Sequence, residues 1–209
     1  MAFGFHNTLV IFYTSYKTKP ERDKLLNLIL ILPIGVSLIL GVIGFFNYSM
    51  LLEYFEGGNE LVQPYVWLIF VIAVATAYFE VFFAWSKVNY KSVFGNFMKE
   101  VFHRLCITLL LLAVYFQLIT VNAFIYTIAG VFVLRAFAMQ WYAFSLYRPK
   151  FGFAMPANLN RILKYSALIL IAGSVAMILL DLDKVMIEHY LPIGNVEVYG
   201  IAVYIATVI

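Results

Sequence analysis

Charge is what this sequence has least of. Lys, Arg, Asp and Glu make up 12% of its 209 residues, against 64% hydrophobic residues, and a soluble domain of that size has too much surface to cover with so few charges. Cysteine is nearly missing as well. Cys106 stands alone in an apolar run, so the chain has no disulfide and no thiolate metal site of its own. No phosphate-cradling glycine loop occurs, which argues against an ATP-driven mechanism within the chain, and no cofactor is expected. The first residues carry neither a basic stretch nor a small-residue cleavage site, so no cleavable signal peptide is expected. No nucleic-acid partner is expected either.

What the sequence does have is long apolar runs, reflected in a mean hydropathy of +0.93. A helix needs about 20 apolar residues to cross about 30 Å of hydrocarbon. Five segments meet that requirement, at about 25–47, 64–86, 103–121, 122–145 and 164–190. The expected fold class is all-α, a polytopic transmembrane helical bundle. Proline punctuates it: Pro20 before the first span, Pro64 opening the second, Pro149 and Pro156 in a polar link, Pro192 after the last. Pro33 lies inside the first span, where neighbouring helices can satisfy the backbone it leaves open. Residues 3–16 and 194–209 are apolar but short. They read as spans cut by truncation, with interfacial helices as the alternative.

The basic residues set an orientation. Lys17, Lys19, Arg22 and Lys24 form one cluster, Lys87, Lys91, Lys99 and Arg104 a second, and Arg148, Lys150, Arg161 and Lys164 a third. They alternate with links that are acidic (Glu53, Glu56, Glu60) or nearly uncharged (the turn near Asn122). The clustered links are expected on the cytoplasmic side of a bacterial inner membrane.

Charges inside spans are expensive, at least about 2.5–3.5 kcal/mol each at mid-bilayer, and so invite a functional reading. Glu80 and Arg135 fall at similar depth in their spans. They could pair across two packed helices, or either could face a water-filled cavity, with Arg135 offering a guanidinium to a phosphate or sugar acid and Glu80 coupling transport to a cation. Asp181, Lys184 and Glu188 share one helical face, while Asp183 lies on another. That stripe reads either as a solvated helix end or as the outer mouth of a cavity. His6, His103 and His189 lack metal-ligand spacing and read as membrane-interface residues. Ser37 and Ser174 have no base nearby in sequence, so nucleophilic catalysis has no support.

The string Asp183-Lys184-Val185-Met186-Ile187, then Gly194, Val198-Tyr199 and Ala202, resembles the signature that joins the seventh and eighth helices of Wzx-type (O-antigen) polysaccharide flippases. These belong to the multidrug/oligosaccharidyl-lipid/polysaccharide exporter superfamily. The stretch with Glu21, Arg22 and Lys24 ahead of a proline-containing span looks like that family's second-to-third helix connection. Glu188 and Glu197 depart from the pattern, standing where glycine is common. The resemblance implies about half of a two-lobed transporter of 12–14 helices. Residues 1–145 would be part of the N-terminal lobe (end of helix two to helix six), 146–163 a cytoplasmic inter-lobe link, and 164–209 the start of the C-terminal lobe.

It further implies a transporter rather than an enzyme, moving an undecaprenyl-pyrophosphate-linked oligosaccharide across the membrane by alternating access. Implied partners are the lipid-linked glycan, membrane lipids and other polysaccharide-assembly proteins. Arg135 and Lys184 would touch substrate anions, with Asp181 and Glu188 beside Lys184, and Asp183, Lys184 and Tyr199 would carry the family motif. A cation-coupled multidrug antiporter, for which Glu80 would be critical, and a lipid II flippase stay open. Short external links argue against a membrane polymerase or ligase.

Overall fold

A computed structural model describes residues 4–48, 63–152, 154–156, 158–190 and 194–208; of a few helical residues only the backbone is described, Asp181, Glu188, His189 and Glu197 among them. The acidic link with Glu53, Glu56 and Glu60 lies outside the described residues, as does Pro192. The described chain is all-helical, with no strand among those residues. In order come α1 (Phe5–Tyr13), α2 (Lys19–Phe46), a single 3-10 turn (Gln63–Tyr65), α3 (Val66–Val88) and α4 (Val93–Asn96). A π-helical stretch (Phe97–Phe102), α5 (His103–Tyr115), α6 (Val121–Leu146), α7 (Leu159–Tyr190) and α8 (Gly194–Val208) follow. Among the described residues, three helices are long and apolar enough to cross a membrane: α2, α3 and α6.

Local chemistry explains the bounds. α2 starts several residues before its apolar run because Thr18 is an extended N-cap, Pro20 sits in the first turn and Glu21 complements the helix start. The Thr18 hydroxyl donates to Glu21 Oε2 at 2.8 Å. Pro33 is accommodated inside α2, and beside the backbone gap it leaves, the Leu30 carbonyl accepts the Tyr78 hydroxyl of α3 at 3.0 Å. Of the five expected spans, those at 103–121 and 164–190 are not among the three found in the described residues, and the first of them is helical only to Tyr115. Backbone angles stay right-handed helical from α4 through the π stretch into α5, making one rod from Val93 to Tyr115. It stops where Gln117 turns left-handed (φ 58°). Leu118 N–H then bonds the Ala113 carbonyl and Gln117 N–H the Val114 carbonyl, both at 2.9 Å. α6 opens on Thr120, whose hydroxyl oxygen accepts the Ala123 amide at 3.2 Å. α7 begins at Leu159, inside the segment read as a link.

α3 and α6 form the closest helix pair and run parallel. Their starts touch through Tyr65 and Asn122 (hydroxyl to Oδ1, 2.5 Å), and their ends through the rings of Trp85 and Phe144 (centroids 5.2 Å apart). α1 packs on α3 and joins α7, where the Thr8 and Ser166 hydroxyls lie 2.7 Å apart. The core runs along α3, with Phe79, Val81, Phe83 and Trp85 almost fully buried. Much of α2 and α6 presents large apolar side chains outward, including Leu38, Ile39, Phe45, Leu134, Phe137 and Trp141. Such a surface suits lipid rather than water.

Candidate functional site

α3 and α6 each carry a polar group equally far from their first residues: Glu80 and Arg135. Because the helices are parallel and paired at both ends, these two groups lie at one level. They do not form an ion pair. Glu80 is held by Lys99 of the π-helical stretch, Nζ to Oε1 2.9 Å. The Lys99 ammonium also lies 5.8 Å from the centroid of the Phe83 ring. Glu80 is mostly shielded, its side chain 17% exposed against 42% for Lys99. A π-helical insertion changes which residues face the neighbouring helix, and such insertions recur at functional sites.

Arg135 is 5% exposed. Its guanidinium carbon lies 4.2 Å from the Phe79 ring centroid and 5.0 Å from that of Phe132. Stacking of this kind uses the quadrupole of the rings to hold a cation where water is scarce. Among the described residues Arg135 makes no ion pair, and its Nε is buried without a hydrogen-bond partner. Glu80 acts on it only at a distance. With the aromatic rings against its flat surface, the edge N–H groups are what an oxyanion would engage.

Two histidines complete the constellation. His6, on α1, lies within electrostatic reach of Glu80, Lys99 and Lys87. His103, on α5, packs edge-on against Phe132 (centroids 4.8 Å, 69°) and is within reach of Arg135. His6 Nδ1 and His103 Nε2 are buried without partners among the described residues. The cluster therefore brings together α1, α3, the π stretch, α5 and α6. Its one carboxylate among the described residues, Glu80, is compensated by Lys99. Lys87 lies at the edge of the group over the Phe83 ring, and Arg135 is the buried cation with no ion pair among the described residues. No metal-binding group of three His, Cys, Asp or Glu side chains occurs among the described residues.

Of the other sequence candidates, Lys184 stands on α7, which packs on α1 and α8. The motif residues Asp183 and Tyr199 do meet: the Tyr199 hydroxyl donates to Asp183 Oδ2 at 2.8 Å, tying α7 to α8, with Lys184 in electrostatic reach. The side chains of Asp181 and Glu188 lie outside the described residues.

Sequence reasoning missed His6, His103 and Lys99 as site residues. Their spacing in the chain carries no signal, because what brings them to Glu80 and Arg135 is packing between helices far apart in sequence. It also missed a lock at the basic end of the bundle, where the Tyr147 hydroxyl donates to Asp23 Oδ1 at 2.6 Å. Burial, and after it that hydrogen bond and the carboxylate charge, push the Tyr147 hydroxyl up to about 12. No family model, no curated protein and no solved structure matches the chain.

Proposed function

We propose that this chain is part of a transporter that moves a lipid-linked oligosaccharide across a bacterial inner membrane, its basic links facing the cytoplasm. The fold would be about half of a two-lobed bundle of 12–14 helices working by alternating access. The observation that carries the reading is Arg135, a buried guanidinium at mid-helix with two ring contacts and no carboxylate partner among the described residues. An intramembrane cation without a counter-ion is costly, and a phosphate or sugar acid passing through the bundle would supply the missing charge. A sugar head also needs polar partners along its path, since each desolvated hydroxyl is unfavourable in hydrocarbon. Glu80, already compensated by Lys99, is less suited to a cationic drug, and this favours the anion over the antiporter reading.

The test is transport of a fluorescent undecaprenyl-pyrophosphate oligosaccharide in proteoliposomes holding the whole protein. Loss of one charge-assisted contact worth about 1.5–3 kcal/mol predicts that Arg135→Met slows transport about 10- to 100-fold, and Arg135→Lys should recover part of it. Glu80→Gln should leave more activity than Arg135→Met. Unchanged transport in Arg135→Met would sink the proposal. Export of organic cations abolished by Glu80→Gln would point to the antiporter.

A further inference from the structure

Two hollows on the bundle meet at one side chain. The first, about 680 Å³, is apolar and runs between α2, α3 and α6, with Leu30, Ile34, Val74, Ala136 and Phe137 in its wall. The second, about 450 Å³, is basic: Lys19 and Lys24 at the start of α2 face Arg148 and Lys150 in the segment after α6. Phe151 lines both. Along α6 the apolar hollow extends from Phe144 back to Val133, about 16 Å at 1.5 Å per residue. That depth suits an acyl chain better than a small solute.

The basic hollow is electrostatically incomplete. Its four cations form no ion pair among the described residues, and its one carboxylate, Asp23, already accepts the Tyr147 hydroxyl. Asn27 adds an independent sign of a missing ligand. It is 6% exposed, and its Nδ2 donates to the carbonyls of Lys150 (2.9 Å) and Gly152 (3.3 Å). Those bonds fix the amide and leave Oδ1 as a buried acceptor with no donor among the described residues, in the wall of the same hollow. Inorganic phosphate would answer the cations alone, and a hydrocarbon the groove alone. A lipid with a phosphodiester and a hydroxyl on its head answers all three.

We propose that the joined hollows hold one anionic glycerophospholipid of the surrounding bilayer, of the phosphatidylglycerol class. Its phosphate sits among Lys19, Lys24, Arg148 and Lys150, a head-group hydroxyl donates to Asn27 Oδ1, and one acyl chain fills the groove past Phe151. The site is separate from Arg135 and does not depend on the transport reading. A bound lipid here would brace α2 against α6.

The whole chain, purified and exchanged into mixed phosphatidylcholine and phosphatidylglycerol nanodiscs, tests this by native mass spectrometry of the lipid it retains. Phosphatidylglycerol should be retained selectively. The exposed double variant R148Q/K150Q should retain it about thirtyfold less well, since each surface cation contributes about one factor of five to anionic-lipid binding. Val74→Trp, which fills the groove and leaves every charge in place, should weaken retention too. Circular dichroism identical to the parent shows that either variant is folded. Equal retention of phosphatidylcholine, or unchanged retention in the double variant, overturns the proposal. So does competition by glycerol 3-phosphate as effective as by the lipid (a soluble-anion site), or preferential displacement by a polyprenyl pyrophosphate (a substrate site).

Discussion

At the scale of single residues, the site depends on how closely backbones approach. Gly95, in α4, sits against the Phe83 ring so tightly that a Cβ there would overlap it. Phe83 is 2% exposed and stands beside Lys87, whose ammonium is 4.0 Å from its ring centroid, and beside Lys99. The glycine thus lets the π stretch come near enough for Lys99 to reach Glu80. Alanine would normally stabilise a helix over glycine by about 1 kcal/mol. Here we expect the overpacking to win, with Gly95→Ala destabilising by about 1–3 kcal/mol. Thermal unfolding in detergent measures it. Adding Phe83→Leu should return most of the loss, and a double variant no more stable than Gly95→Ala would show that the ring is not the cause.

At the scale of elements, two helix ends use a glycine-type cap without glycine. After α3, Tyr90 is left-handed (φ 58°), its N–H bonding the Lys87 carbonyl at 2.9 Å while Lys91 N–H bonds that of Ser86 at 3.0 Å. Gln117 does the same after α5. A non-glycine residue in this region costs about 1–2 kcal/mol, and glycine gives back part of that through its freer unfolded chain. Tyr90→Gly and Gln117→Gly should therefore each stabilise the fold by about 0.5–1 kcal/mol, read as a raised unfolding midpoint. A lowered midpoint in both would mean that the side chains themselves hold the turns. Helices of this kind were largely legible in the sequence. Long apolar runs locate α2, α3 and α6 by composition alone, and Pro20 and Pro64 mark the starts of α2 and α3. The π stretch was not legible, because nothing in Phe97–Phe102 breaks helical periodicity. The rod ending at Tyr115 was misjudged by the apolar run that continues past it, since apolar residues fill the turn as readily as the helix.

At the scale of the whole molecule, the site was legible in part: Glu80 and Arg135 stand out as charges in apolar runs, but which cation faces Glu80 is decided by packing among five segments. The same holds for the lock between Asp23 at the start of α2 and Tyr147 just past α6, residues far apart in the chain whose contact ties one end of the bundle together. That lock gives the fold a pH dependence whose sign can be worked out. The Tyr147 hydroxyl is raised from about 10 to about 12 in the folded protein, so folding favours its protonated, donating form. Its contribution is fully present below pH 10 and is lost as pH rises through about 12. Removing the hydroxyl with Tyr147→Phe should cost about 1–2 kcal/mol at pH 8. The gap in stability between the two proteins should stay constant up to about pH 10 and then narrow toward about pH 12. Unfolding of both proteins across that range measures it. A gap that stays the same up to pH 12 would mean that the hydroxyl ionises alike in the folded and unfolded chains, and that Asp23 does not hold it.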